Sequence, residues 1–316
     1  MRLALTLAAA RCYTSPMREE QAVIAHNVVS LRAEPNSGSE QVSQAILGEP
    51  AQILEEREAY ARIRTAEGYE GWALRRHLHR PKTQQERDMQ SAVACATLRE
   101  RRSPQVVCVW QPFADLLGRP GERDTLKTRL VLGTCGLAAG QEETAEGLTL
   151  RLLLPGEEYP EGYVAAEALL PTSDLPAFSG RAAAALARRC LGTPYLWGGT
   201  TPFGFDCSGF VQRIYTILGV LLPRDAYQQA QCPLGDCMSD APLKAGDLVF
   251  FCGASDTRGR GITHVGMALD TQRFIHAWGQ AGVVTTAWND ADFNEAYTYR
   301  GAWRLKRSLF QAVRAV

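Results

Sequence analysis

One cysteine and two histidines carry the chemical potential of this chain. Cys207 lies in Asp206-Cys207-Ser208-Gly209-Phe210, after Tyr195-Leu196-Trp197-Gly198-Gly199. The histidines follow in His264-Val265-Gly266 and Phe274-Ile275-His276-Ala277. Phe210, Val211, Ile214 and Leu218 recur near helical spacing, which predicts a helix from Cys207 to Leu218 stopped by Gly219. A cysteine at a helix start meets unpaired backbone N–H groups and the positive end of the dipole, so its thiol pKa should fall. Such a thiolate attacks carbonyls when a histidine shares its proton and a further group fixes that histidine's tautomer. A lone cysteine at a helix start is usually a small buried apolar residue, and a histidine in a strand is usually held structurally. The whole spaced set, with Gly246-Asp247-Leu248 included, is what points to nucleophilic catalysis rather than to packing.

The elements that must position these residues are legible in outline. Ser179 can cap a helix through Ala182 to Cys190, which Gly192-Thr193-Pro194 ends. Beyond Pro242 the pattern is extended, over 247–251, 264–269, 273–278, 283–288 and 302–305. Helices first and strands second imply an α+β domain with an antiparallel sheet. The two histidines then fall on consecutive strands, and loop parity decides whether they meet. A two-residue loop at Thr271-Gln272 sets them on opposite faces, whereas a three-residue loop from Asp270 to Gln272 sets them on one. Catalysis requires the odd loop or a bulge.

The N-terminal half is different in kind. Short β-like runs from Val23 to Leu78, broken by Glu34-Pro35-Asn36-Ser37-Gly38 and Ala66-Glu67-Gly68-Tyr69, predict a small barrel. A second copy follows, because Leu116-Leu117-Gly118-Arg119-Pro120 repeats Leu31 to Pro35 and Val131-Leu132-Gly133 repeats Ile46-Leu47-Gly48 at one constant offset. Glu161-Gly162-Tyr163-Val164 corresponds to the Gly68-Tyr69 segment but lacks the Trp that follows it in the first copy. The breaker-rich stretch Pro171 to Pro176 marks the next boundary. The expected organisation is an N-terminal segment 1–20, a barrel over 21–80, a connector over 81–100, a diverged barrel over 101–171 and a catalytic domain over 177–310.

Composition narrows the function. The 34 basic and 34 acidic residues balance, which gives a nucleic-acid partner no electrostatic footing. Nine cysteines without a repeating framework suit a reducing compartment. Cys232 and Cys237 have no CxxC pair or partner histidine at zinc spacing. Leu3 to Ala10 is a short apolar run at the lower limit of a signal-peptide core, and no stretch has the length of a membrane-spanning helix. The expectation is a cytoplasmic, monomeric protein, or an exported one where residues 1–20 act as a signal.

Residues 177–310 resemble an NlpC/P60 cysteine peptidase domain on the motifs quoted above. The N-terminal runs resemble bacterial SH3 (SH3b) domains through Leu31-Arg32-Ala33-Glu34-Pro35, Leu47-Gly48-Glu49 and Gly68-Tyr69-Glu70-Gly71-Trp72. The resemblance implies a fold of two small all-β SH3b barrels followed by a papain-like α+β domain. It implies Cys207 as nucleophile, His264 as general base and His276 as orienting residue. The Cys207 N–H and Tyr195 would then bind the oxyanion. The combination is similar to γ-D-glutamyl-L-diamino acid endopeptidases, which cut murein tri- or tetrapeptides carrying a free N-terminal L-Ala. By position, Asp206, Glu34 and Tyr69 would meet the ammonium group, and Ser208 and Trp197 would line the cleft. No metal or cofactor is implied. Some members of that subgroup carry a serine where this chain has Ala226, and Arg224 and Asp225 beside it default to surface residues. The alternatives are an exported hydrolase of intact peptidoglycan with SH3b wall-binding domains, and a non-catalytic murein-binding protein.

Overall fold

The computed structural model describes residues 21–97, 103, 105–238, 242–253, 256, 259–279 and 281–306. The segment 1–20 read above as a possible signal lies outside them. The chain divides into two units, Met1–Leu175 and Pro176–Val316.

The first unit holds two seven-stranded antiparallel sheets. The first comprises β1 (Gln21–Ile24), β2 (Val28–Arg32), β3 (Gln41–Ile46), β4 (Pro50–Arg57), β5 (Tyr60–Thr65), β6 (Glu70–Leu74) and β7 (Leu78–His79), in the order β3-β2-β6-β5-β4-β1-β7. A helix, α1 (Gln84–Thr97), leads to the second. That sheet comprises β8 (Val106–Val109), β9 (Phe113–Leu117), β10 (Leu126–Val131), β11 (Cys135–Thr144), β12 (Gly147–Leu153), β13 (Glu161–Ala165) and β14 (Leu169–Pro171), in the order β10-β9-β13-β12-β11-β8-β14. The order is the same in both, down to a one-turn 3-10 helix before the last strand, at Arg75–His77 and at Ala166–Ala168. Alternation builds both cores: β2 buries Val29 and Leu31, and β9 buries Ala114 and Leu116 at the matching positions.

The repeat corrects one alignment made from the sequence. A Cβ on Gly71 would lie 2.9 Å from the Leu31 Cβ, and one on Gly162 would lie 2.7 Å from the Leu116 Cγ, so the two glycines are equivalent. Trp72 then pairs with Arg32, and Tyr163 pairs with Leu117. Tyr163 therefore occupies the place of Trp72 rather than that of Tyr69. The constant offset hid this because β11 and β12 have 10 and 7 residues where β4 and β5 have 8 and 6.

The second unit carries the chemistry. Its helices are α2 (Gly180–Arg188), α3 (Cys207–Ile217), α4 (Ala226–Ala230) and α5 (Ala291–Ala296). A two-stranded hairpin, β15 (Thr200–Thr201) with β16 (Gly204–Phe205), precedes α3. The main sheet is antiparallel, made of β17 (Gly235–Met238), β18 (Leu248–Gly253), β19 (His264–Ala268), β20 (Arg273–Trp278), β21 (Gly282–Ala287) and β22 (Tyr297–Leu305), in the order β17-β22-β18-β19-β20-β21. Ser179 caps α2, its Oγ accepting the Ala182 N–H at 3.1 Å. Almost every residue of α3 is buried, and α3 packs on β19 and β20, the two histidine strands. A cluster of Val249, Phe251, Phe274 and Phe293 backs the sheet. Among the described residues no helix is long and apolar enough to cross a membrane.

Candidate active site

Asp206 fixes where Cys207 sits. With φ −89° and ψ 175° it is the extended N-cap of α3, and its Oδ1 accepts the Gly209 N–H at 2.7 Å. Its Oδ2 accepts the Gly198 N–H at 2.9 Å, which ties the Trp197-Gly198-Gly199 turn to the helix start. The motif glycines permit this approach. A Cβ on Gly209 would lie 2.2 Å from the Gly199 carbonyl oxygen, and one on Gly199 would lie 2.2 Å from that of Gly204. Arg224 completes the arrangement with a forked ion pair, Nη1 to Oδ1 at 3.0 Å and Nη2 to Oδ2 at 2.5 Å.

The thiol does not behave as a helix N-terminus alone would dictate. Cys207 is 7% exposed, and burial first, then the Asp206 charge, pushes its pKa up to about 12. The Val265 and Ser208 N–H groups and Arg224 oppose that rise without cancelling it. His264, also buried, is pushed down to about 3 by desolvation. The resting pair is therefore neutral thiol and neutral imidazole. Desolvation outweighs the helix end, which corrects the expectation of a lowered thiol pKa.

The histidines share a face of the sheet. Leu269 N–H donates to the Arg273 carbonyl at 2.9 Å, closing a three-residue loop over Asp270–Gln272. The Asp270 Oδ1 holds that loop by accepting the Gln272 and Arg273 N–H groups at 2.8 and 2.9 Å. Ala268 pairs with Phe274 and Met267 with Ile275, a register that sets Gly266 opposite His276. A Cβ on Gly266 would lie 3.2 Å from the His276 Cβ, so glycine there makes room for the second imidazole. His264 Nε2 lies 2.8 Å from His276 Nδ1, and His276 Nε2 lies 2.9 Å from the Thr286 Oγ1. A base acting through Nδ1 of His264 must carry its proton on Nε2 and donate to His276 Nδ1. His276 then carries its own proton on Nε2 and donates to Thr286. Thr286 escaped sequence reading, and its only signal is alternation on the strand next to His276.

The remaining residues separate into three groups. Tyr195 bridges to Phe205, and burial followed by the nearby Cys207 and Asp206 raises its phenol, which stays a neutral donor within electrostatic reach of the thiol. Ser208 and Asp206 are committed inside the fold: the Ser208 hydroxyl donates to Asp206 at 3.3 Å and accepts from Arg224 at 2.9 Å. Arg224 is only 2% exposed, which overturns the surface reading, and α4 beside it sends Gln229 Nε2 to the Ser208 carbonyl at 3.1 Å. Trp197 is 60% exposed in the turn before α3. Glu34 and Tyr69 belong to the first unit. Glu34 is exposed after β2 with its N–H on the Ser39 hydroxyl at 2.9 Å, and Tyr69 is half-buried in the turn from β5 to β6. Among the described residues no three His, Cys, Asp or Glu side chains are grouped to hold a metal.

Known proteins share both parts of this chain. Residues 192–302 match the NlpC/P60 family and residues 27–79 match the bacterial SH3 domain. The dipeptidyl-peptidase 6 of Lysinibacillus sphaericus is 29% identical over 261 residues, 81% of this chain and 87% of that protein. The gamma-D-glutamyl-L-lysine dipeptidyl-peptidase of Bacillus subtilis is 46% identical over 88 residues, which is 28% of each. A crystal structure of an NlpC/P60 family protein from Bacillus cereus shares the fold with a TM-score of 0.71 at 22% identity, covering 90% of this chain and 99% of that one. Residues 192–302 are thus a cysteine peptidase domain of the NlpC/P60 family, preceded in the same chain by a bacterial SH3 domain.

Proposed function

We propose that this cysteine peptidase hydrolyses the γ-D-Glu–diamino acid bond of murein peptides that begin with a free L-Ala. The observation that carries the catalytic part is the relay from His264 through His276 to Thr286, on the face against which the Cys207 helix packs. The bond specificity rests on the names of the relatives and on the sequence motifs. We also infer that β8–β14 is a second SH3b barrel, a reading supported by its strand order.

Cys207 attacks the side-chain carbonyl of D-Glu while its proton passes to Nδ1 of His264. Because thiol and imidazole are both neutral at rest, this transfer accompanies attack instead of preceding it. The oxyanion takes the Cys207 N–H at the helix start and the Tyr195 hydroxyl. His264 returns the proton to the leaving amine of the diamino acid. It then activates water, which releases L-Ala-D-Glu and regenerates the thiol. The substrate's ammonium group needs a carboxylate partner. We assign that contact to Asp206, whose carboxylate stands at the start of α3 beside Cys207 and is shared with Arg224.

The test is to incubate the protein with L-Ala-γ-D-Glu-diamino acid and with its N-acetylated form, and to resolve the products by mass spectrometry. The expected result is L-Ala-D-Glu from the free peptide and at least about 10²-fold slower turnover of the blocked one, as when a buried charged partner is left unpaired. Equal turnover removes the amine selection. Absence of cleavage of both removes the substrate assignment.

A further inference from the structure

Tyr297, which the sequence did not single out, touches the base of the relay. It is the first residue of β22, and its ring lies 4.7 Å from the His264 ring, centroid to centroid, at 36°. It also stacks on Phe293 at 4.9 Å and 20°. Phe251 and Phe293 stand farther from His264, at 6.1 and 5.9 Å. Cross-strand from Tyr297 is Gly253, where a Cβ would lie 3.0 Å from the Tyr297 Cε1. A glycine beneath an aromatic ring on the neighbouring strand lets that ring fold flat across the pair. The phenol is half-buried and in electrostatic reach of Cys207 and Tyr195.

We propose that Tyr297 is a positioning residue whose ring, seated over Gly253 and flanked by Phe293, holds the His264 imidazole in the plane that its hydrogen bond to His276 requires. One hydrogen bond leaves an imidazole able to pivot about it, and a ring packed against it at 4.7 Å and 36° restricts that pivot. The Nδ1 atom is then kept in line for the thiol proton. The inference rests on the roles proposed above for Cys207 and His264, but not on the identity of the substrate.

The experiment compares Tyr297→Phe, Tyr297→Leu and Gly253→Ala with the wild type. Two readouts are used: the rate at which iodoacetamide alkylates Cys207 across pH, followed on the Cys207 peptide by mass spectrometry, and kcat and KM on the free murein peptide. Phe retains the ring, so both readouts should stay within about twofold of wild type. Leu should lower kcat by about 10²-fold, the scale of a misplaced catalytic group, with KM little changed and alkylation near neutral pH slowed. Gly253→Ala lifts the ring without removing it and should fall between the two; it carries the test where the Leu variant does not fold. Wild-type behaviour in both Leu and Ala variants overturns the proposal, and so does a Phe variant as impaired as Leu, which would give the role to the hydroxyl. A wild type whose alkylation depends on His264 but which cleaves no murein peptide refutes the substrate assignment and leaves this inference standing.

Discussion

The two units bury different chemistry. Among the described residues of the first, the buried polar side chains are Gln21, Asn27, Ser43, Thr65, Gln90, Thr134, Thr149 and Thr172, none of them charged. The second unit buries Asp206, Arg213, Arg224, Asp247, His264 and His276. The two sheets of the first unit are held by apolar area and strand alternation, which tolerate change wherever volume is conserved. The peptidase domain spends stability on ions whose worth depends on their partners, because an unpaired buried charge costs far more than the pair contributes. Its polar interior fixes a turn, a helix start and two imidazoles where the chemistry is to happen.

The sharpest test of that contrast is Cys207→Ala. It should remove at least about 10⁴-fold of kcat/KM, since members of a catalytic unit act together, and leave the thermal midpoint near wild type. A large loss of stability alongside would show that Cys207 belongs to the core instead. Arg224→Met should destabilise the second unit by about 3–5 kcal/mol in urea unfolding, because the Asp206 carboxylate loses its forked partner. Adding Asp206→Asn should recover part of that loss, and a purely additive double variant would break the ion-pair account.

The first unit should respond through volume. Leu31→Ala and Leu116→Ala should each cost about 2–5 kcal/mol, with similar values for the two, since each packs on its own glycine, Gly71 or Gly162. Clearly unequal costs would break the equivalence of the two sheets. Acid should act on the peptidase domain. His264 is pushed down to about 3 against an ordinary 6.5, so its neutral form supports the fold fully above 6.5. Between 6.5 and about 3 the unfolded chain binds the extra proton, and stability falls with pH. His264→Phe should flatten that decline in melts from pH 7 to 4. The smallest effect is expected for Thr286→Val, about tenfold or less in kcat, the worth of one orienting hydrogen bond.

How much of this was legible depends on how local each signal is. Cys207 declared itself through Asp206 and Gly209, because a capped helix start is written in a few consecutive residues. The histidines were legible for a similar reason, since loop parity over Asp270–Gln272 follows from a short connection. Thr286 and Tyr297 were not, because Thr286 meets His276 from the adjoining strand and Tyr297 meets His264 across β18, and a single sequence does not record strand register.

The lowered thiol pKa failed for the same physical cause. The sequence fixes which residue begins the helix but not how much protein covers it, and desolvation decides the sign. By itself the sequence determined a cysteine at a capped helix start, two histidines on consecutive strands, the strand alternation of the first unit and the glycines that let backbones touch. Only the tertiary structure decided that Asp206 is neutralised by Arg224, 18 residues away, that Thr286 ends the relay and that Tyr163 takes the place of Trp72. Local choices are set by backbone sterics and short-range hydrogen bonds. Partners distant in sequence are chosen when strands pair and burial leaves each charge and imidazole only the groups the fold brings to it.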